Sequence, residues 1–187
     1  MGMNNNRRYT RAITPYSNKY IAPFLFLLIG FFLFFRAILW YVDFHEGKIL
    51  ENGAEVIGEI YSFGGKTTHF RFMYQKQKYE VNVDRAINTI ELGEKYFIKV
   101  DTNDPTEVVV EWWKPVIDSS FNKIRPTEID LEKSFFSDNF DFSYTINNQI
   151  YTRVQRFPPN FENQKSSNFW VYYKRENPRI AYLMGFY

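Results

Sequence analysis

From Tyr20 to Val42 the chain runs 23 residues with one charge, Arg36, and Phe24–Phe35 within it has no polar side chain at all. Coiled as an α-helix, that length covers about 34 Å, enough for a hydrocarbon layer of about 30 Å. A helix also satisfies its backbone polar groups within the segment, which a bilayer demands. Pro23 falls in the first turn, where a missing N–H costs little. The run lacks the polar stripe of a helix lying on a soluble core. It is longer than the apolar stretch of an export signal, and the bulky "AILWYVDFHEG" that follows offers no small-x-small cleavage pattern. The pattern therefore predicts a retained transmembrane helix over 20–42. Tyr16 and Tyr20 mark one interface, and Trp40 and Tyr41 the other. Arg36 lies less than two turns from Val42, so its stem can carry the charge to that interface. Pairing with an acid on a partner helix is the other role open to it.

Beyond the span the period changes to two, the repeat of a strand with one covered face. "HFRFMYQ" alternates Phe70, Phe72 and Tyr74, "KYEVNV" alternates Tyr79, Val81 and Val83, and Gln75–Lys78 links them as a hairpin. "AEVIGEIYSF" passes through Gly58, a place for a bulge or a sharply coiled strand. "EKYFIKV" alternates Tyr96, Ile98 and Val100, and "TEVVVEWW" follows the turn residues Asn103-Asp104-Pro105. The order then recurs. "FRFMYQKQKY" (70–79) matches "FDFSYTINNQIY" (140–151), and "YFIKVDTNDPTEVVV" (96–110) matches "FWVYYKRENPRIAYL" (169–183), at spacings of 70 and 73 residues. Between the copies, Thr127 and Asp130 form a capping-box pattern that suggests a short helix over Thr127–Phe136. The expected fold is mainly β: one N-terminal transmembrane helix, then a β-rich domain, either duplicated into two small barrel-like units or forming one larger domain. The expected divisions are a basic tail (1–19), the helix (20–42), a first β unit (43–113), a linker or short helix (114–138) and a second β unit (139–187).

Val56-Ile-Gly58-Glu-Ile60, with Ile98-Lys-Val100-Asp-Thr-Asn-Asp-Pro105 and Val171-Tyr-Tyr173-Lys-Arg-Glu-Asn-Pro178, resembles an uncharacterised bacterial domain family. That family carries a V-x-G-x-[IV] strand and then V-x-Y-[DN]-P-x-N-P, usually beside membrane helices. The resemblance covers roughly 52–112 and 168–183. Val171, Tyr173, Asn177 and Pro178 fit best, while Thr102 and Arg175 stand where the first proline usually occurs and Val100 replaces the tyrosine. It implies a small barrel-like module near a membrane and no activity to carry over.

Charge sharpens this picture. Residues 1–19 hold Arg7, Arg8, Arg11 and Lys19 and no acid, whereas 43–187 carry a net −3. The positive-inside rule places the tail in the cytoplasm and the β-rich domain on the extracytoplasmic side, the periplasmic side of the inner membrane in a bacterium. A body of that charge does not call for nucleic acid as a partner. The chain has no cysteine, which removes disulfides, thiolate metal sites and cysteine catalysis.

No set of catalytic, cofactor-binding or metal-ligating residues is expected. His45 and His69, the two histidines, lack zinc-site spacing. "DTNDP" (101–105) resembles the start of a calcium loop but has Pro105 where the turn glycine belongs, so a turn is expected. Gly64-Gly65-Lys66-Thr67-Thr68 lacks the first glycine of a P-loop and is followed by a strand pattern. Glu128, Asp130 and Glu132 have no cleft to place them. Consecutive aromatics, by contrast, put rings on both faces of a sheet, which makes Trp112, Trp113, Trp170 and Tyr172, with Arg36 in the helix, the candidate interaction residues. The function these features suggest is a membrane-anchored, non-catalytic binding or assembly module. Its partners are the lipid bilayer and a membrane or envelope protein, with association between copies open. An envelope hydrolase whose site assembles only in three dimensions and a small structural subunit of a membrane complex remain the alternatives.

Overall fold

The computed structural model describes residues 21–84, 87, 89–130, 139–158 and 169–185, and the chain divides into two compact units, Met1–His45 and Glu46–Tyr187. The expected tail and Tyr16 and Tyr20 lie outside the described residues.

Helix α1 spans Ile21–Asn52, ten residues beyond the expected end at Val42. Among the described residues it alone is long and apolar enough to cross a membrane, and none of its apolar window is covered by protein. Phe26, Leu27, Phe31 and Phe34 are each more than half exposed and point in several directions, as a lipid-facing helix requires. Trp40 stacks on Phe44, and Tyr41 on His45, where the composition turns polar. The last turns belong to the second unit, in which Ile49 is buried. Gly53 closes the helix by donating its N–H to the Ile49 carbonyl at 2.8 Å. A Cβ there would lie 2.4 Å from the Ile49 oxygen and 2.9 Å from that of Val100, so only glycine allows the chain to pass into the sheet.

The second unit begins with β1 (Ala54–Gly64), β2 (Thr67–Tyr74), β3 (Gln77–Asp84), β4 (Lys95–Val100) and β5 (Val108–Pro115), hydrogen-bonded in the order β3-β2-β1-β4-β5. Every neighbouring pair is antiparallel, and β3 also meets β5, so the sheet curls into a partly closed barrel with the circuit of an OB-type fold. Its core holds Ile60, Phe70, Phe72, Val81, Ile98, Val100 and Val110. Gly58 sits where β1 presses on its neighbours: a Cβ would stand 2.7 Å from Ile98 Cδ1 and 3.2 Å from Phe70 Cδ1.

The remaining strands are β6 (Phe121–Ile124), β7 (Glu128–Asp130), β8 (Asn139–Ile146), β9 (Gln149–Arg156), β10 (Trp170–Lys174) and β11 (Ala181–Met184). They form the sheets β11-β10-β6 and β7-β8-β9, and together they repeat the first circuit. The β2–β3 hairpin and the β8–β9 hairpin each join two eight-residue strands through two residues at positive φ, Gln75-Lys76 and Asn147-Asn148. Such a turn matches the twist of the flanking strands. The β4–β5 and β10–β11 turns also share their bonds. Asp101 N–H donates to Glu107 O and Lys174 N–H to Ile180 O, both at 2.9 Å. The Asp104 and Asn177 side chains accept from Thr106 N–H and Arg179 N–H at 3.0 and 3.2 Å. "DTNDP" is thus a side-chain-braced turn.

Ile124 faces Val171 as Val56 faces Ile98, and Ile129 faces Phe142 as Ile60 faces Phe70. Strands β6 and β7 are therefore the two halves of a broken β1. The break falls at Arg125-Pro126-Thr127, at the position of Gly58, where a proline cannot donate to a ladder; the irregularity of β1 itself lies between Ile60 and Ser62, past the glycine where it was expected. Contact between β9 and β11 repeats the approach of β3 to β5.

Three sequence expectations shift accordingly. The hairpins superpose at a spacing of 72 residues, so Phe70 corresponds to Phe142 and Phe140 to Thr68. Residues 121–130, inside the expected joint, supply strands to the second barrel. Glu128–Asp130, expected to open a helix, pair with β8 instead, and the rest of that segment (131–136) lies outside the described residues.

The second core gathers Phe140, Phe142, Tyr144, Phe157, Val171, Ala181 and Leu183. Ile180 and Tyr182, alternating with Ala181 and Leu183, belong to the first core. One strand thus seals both barrels.

Candidate functional site

Polar chemistry is concentrated first where the barrels meet. Glu94, fully buried just before β4, accepts from Arg153 Nη2 at 2.6 Å and Glu91 N–H at 2.9 Å on one oxygen, and from the Tyr96 hydroxyl at 2.7 Å on the other. In β9, Arg153 and Gln155 occupy the positions that Val81 and Val83 hold in β3. Gln155 uses both ends of its amide on Leu183, donating to its carbonyl at 3.1 Å and accepting its N–H at 2.8 Å. Thr89 likewise brackets Val154, its hydroxyl accepting the N–H at 2.8 Å and lying 3.3 Å from the carbonyl. Burial pushes the Glu94 carboxyl above its ordinary value, opposed chiefly by the Arg153 charge and the Tyr96 hydroxyl. Burial alone would lower the Arg153 guanidinium, but the Glu94 charge carries it above its usual range. The Tyr96 hydroxyl is pushed well up by burial and stays a neutral donor. With both charges sealed from solvent, this cluster joins the barrels and offers no reacting group to a substrate.

The surface features lie on the outer sheet faces. On the first barrel, an open groove runs over β2, β1 and β4, with Ile57, Met73 and Phe97 as apolar floor. Its charges are largely satisfied within the chain. Arg71 bonds Glu59 at 2.8 Å, and Glu55 accepts Lys114 at 2.6 Å with Lys99 at 3.7 Å. Lys114 Nζ also stands 4.6 Å from the centre of the Phe97 ring. The Lys114 hydrogen bond, the largest influence, holds the Glu55 carboxyl below its usual value.

On the second barrel, a smaller cleft of about 410 Å³ is lined by Ile117, Trp170, Tyr172, Met184 and Gly185. Arg125 stands 3.8 Å and Lys123 Nζ 4.9 Å from the centre of the Trp170 ring. No family model, curated protein or solved structure matches this chain. Comparison of its own two halves carries the reading instead. Trp170 occupies the position of Phe97, and Lys123 that of Glu55. The second site therefore has a cation where the first has its neutralising acid.

The expected interaction residues separate. Trp170 and Tyr172 border the second cleft. Trp112 is 4% exposed and meets Phe70 and Tyr96 edge-on at 5.6 and 5.3 Å, which places it in the first core. Its neighbour Trp113 is half-buried in β5, and Arg36 is exposed on α1. The large bulge in β5, between the Val110↔Ile98 and Pro115↔Tyr96 pairs, upsets the simple alternation that assigned Trp112. Lys123 and Arg125, two residues apart in sequence, were missed because their significance appears only across β10. His69 hydrogen-bonds Asn82 across a hairpin at 2.5 Å, and neither cleft described here includes it.

Proposed function

We propose that this protein is a membrane-anchored binding or assembly module, held in the bilayer by α1, whose two-barrel body engages a membrane or envelope protein from the extracytoplasmic side. The observation that carries this reading is the contrast between a buried ion pair sealed from solvent and two open clefts on outer sheet faces. The buried ion pair serves the joint, while apolar surface, rings and exposed charges face the exterior. The orientation draws on the four basic residues before the span and the net acidic body after it. The resemblance to membrane-associated bacterial β-domains accords with this role, since both copies of its turn motif occupy the same strand-to-strand connection, β4–β5 and β10–β11.

The test uses the native lack of cysteine. Asn122→Cys in the full chain is expected to react with a membrane-impermeant maleimide added outside intact cells; labelling only after lysis refutes the orientation. Photo-crosslinkers at Tyr172 and Met73 are expected to capture a membrane or envelope protein, and absence of any adduct at both sites refutes the binding role.

A further inference from the structure

Resting on that reading, we propose that the Trp170 cleft docks an acidic segment of the partner protein, with carboxylates against Lys123 and Arg125 and an apolar side chain in the adjoining cavity. The internal repeat supplies the reason. At the equivalent place in the first barrel, Glu55 neutralises Lys99 and Lys114 beside the Phe97 ring. In the second barrel Lys123 replaces that acid, Arg125 joins it, and Tyr172 stands where Lys99 stood. Among the described residues no acid pairs with Lys123 or Arg125; Arg125 donates to the Phe169 carbonyl at 3.1 Å and otherwise rests on Trp170. Among the described residues, the two cations held together on one ring have no counter-charge, which makes them the electrostatic complement of an anion.

The neighbouring surface decides what carries the anion. Ile117, Met184 and the faces of Tyr172 and Trp170 make a mostly apolar cavity with room for one or two side chains. A glycan would bring hydroxyls to a wall with few partners for them, and burying them unpaired is unfavourable. Arg125 also covers one face of Trp170, the surface on which a sugar ring would stack. A peptide with a leucine or phenylalanine flanked by aspartate or glutamate meets both requirements.

Full-length protein in zwitterionic nanodiscs would be titrated, by fluorescence anisotropy, against a labelled, end-blocked Asp-Glu-Leu-Phe-Glu-Asp peptide. Controls are the same peptide with Ser-Ser at its centre and a sulfated hexasaccharide. The apolar acidic peptide is expected to bind best, and to weaken as salt rises, since the cations are exposed. Lys123→Glu, which puts an acid at the position equivalent to Glu55, is expected to weaken it about tenfold or more, because it removes one attraction and adds a repulsion. Lys66→Glu, an exposed lysine in the β1–β2 turn outside both clefts, is expected to leave it unchanged. Equal binding of the Ser-Ser peptide, tighter binding of the sugar, absence of binding, or indifference to Lys123→Glu would each overturn the inference. If Tyr172 and Met73 crosslinks still capture a partner in that case, the binding role survives without this docking chemistry.

Discussion

Replacing Arg153 by methionine keeps an unbranched stem in the barrel joint and removes the guanidinium. Glu94 then retains the Tyr96 hydroxyl and the Glu91 N–H but has lost its counter-charge in a place with no solvent access. Stranding one member of a buried pair costs about 3–5 kcal/mol. For a body of this size that corresponds to a melting temperature lower by about 10 °C. The loss has a definite pH dependence. Without Arg153, the folded-state carboxyl of Glu94, already raised by burial, rises further above its unfolded value. A group with a raised folded pKa contributes its stability below the unfolded pKa and loses it as pH climbs through the folded one. The deficit of the variant is therefore largest at neutral pH and shrinks as the solution is acidified towards the ordinary carboxyl range. Adding Glu94→Gln removes the stranded charge while leaving an acceptor for both donors. The double variant should recover about 1–3 kcal/mol of the single variant's loss at neutral pH. Urea unfolding of the full chain in nanodiscs, followed by tryptophan fluorescence at two pH values, measures both effects. A deficit independent of pH, or a double variant whose loss equals the two single losses combined, refutes the ion pair as the fastening.

Three further outcomes test the fold. Gly58→Val should destabilise the first barrel by about 1–3 kcal/mol in the same assay, because the new side chain meets Ile98 and Phe70 inside contact distance. Trp112→Ala should cost about 3–5 kcal/mol, as for a core ring, whereas Trp170→Ala should cost less than about 1 kcal/mol, a contrast that chemical denaturation resolves. Replacing Gln75-Lys76 by Asn-Gly should stabilise the hairpin by about 1 kcal/mol, since both residues hold positive φ without the side chains that favour it, and a raised urea midpoint would report the gain.

The helix and the hairpins were legible because each rests on a local period: 23 nearly chargeless residues, then Phe70, Phe72 and Tyr74 in strict alternation. The repeat was visible for the same reason, but its alignment slipped by two residues at the hairpin. Matching Phe to Phe placed Phe140 opposite Phe70, whereas turn geometry pairs Phe70 with Phe142. The broken counterpart of β1 escaped notice because its identity lies in its partners, β10 and β8, and because Pro126 near the position of Gly58 disguises the pattern. Nothing local in "YTRVQR" marks Arg153 and Gln155 as buried; their burial depends on Glu94 and Leu183, far away in sequence. Nor can a sequence read alone reveal that Lys123 and Arg125 share one ring, since strand pairing brings Trp170 to them.

The strand that closes the chain's second barrel has a bearing on how the body folds. Because Tyr182 serves one interior and Leu183 the other, sliding β11 by a single step would turn each into the wrong compartment at once. Neither half can then settle on its own terms, and the two should melt in one cooperative transition despite their descent into matching shapes. A fragment ending before Ala181 would forfeit part of both interiors, so the tandem behaves as an indivisible unit.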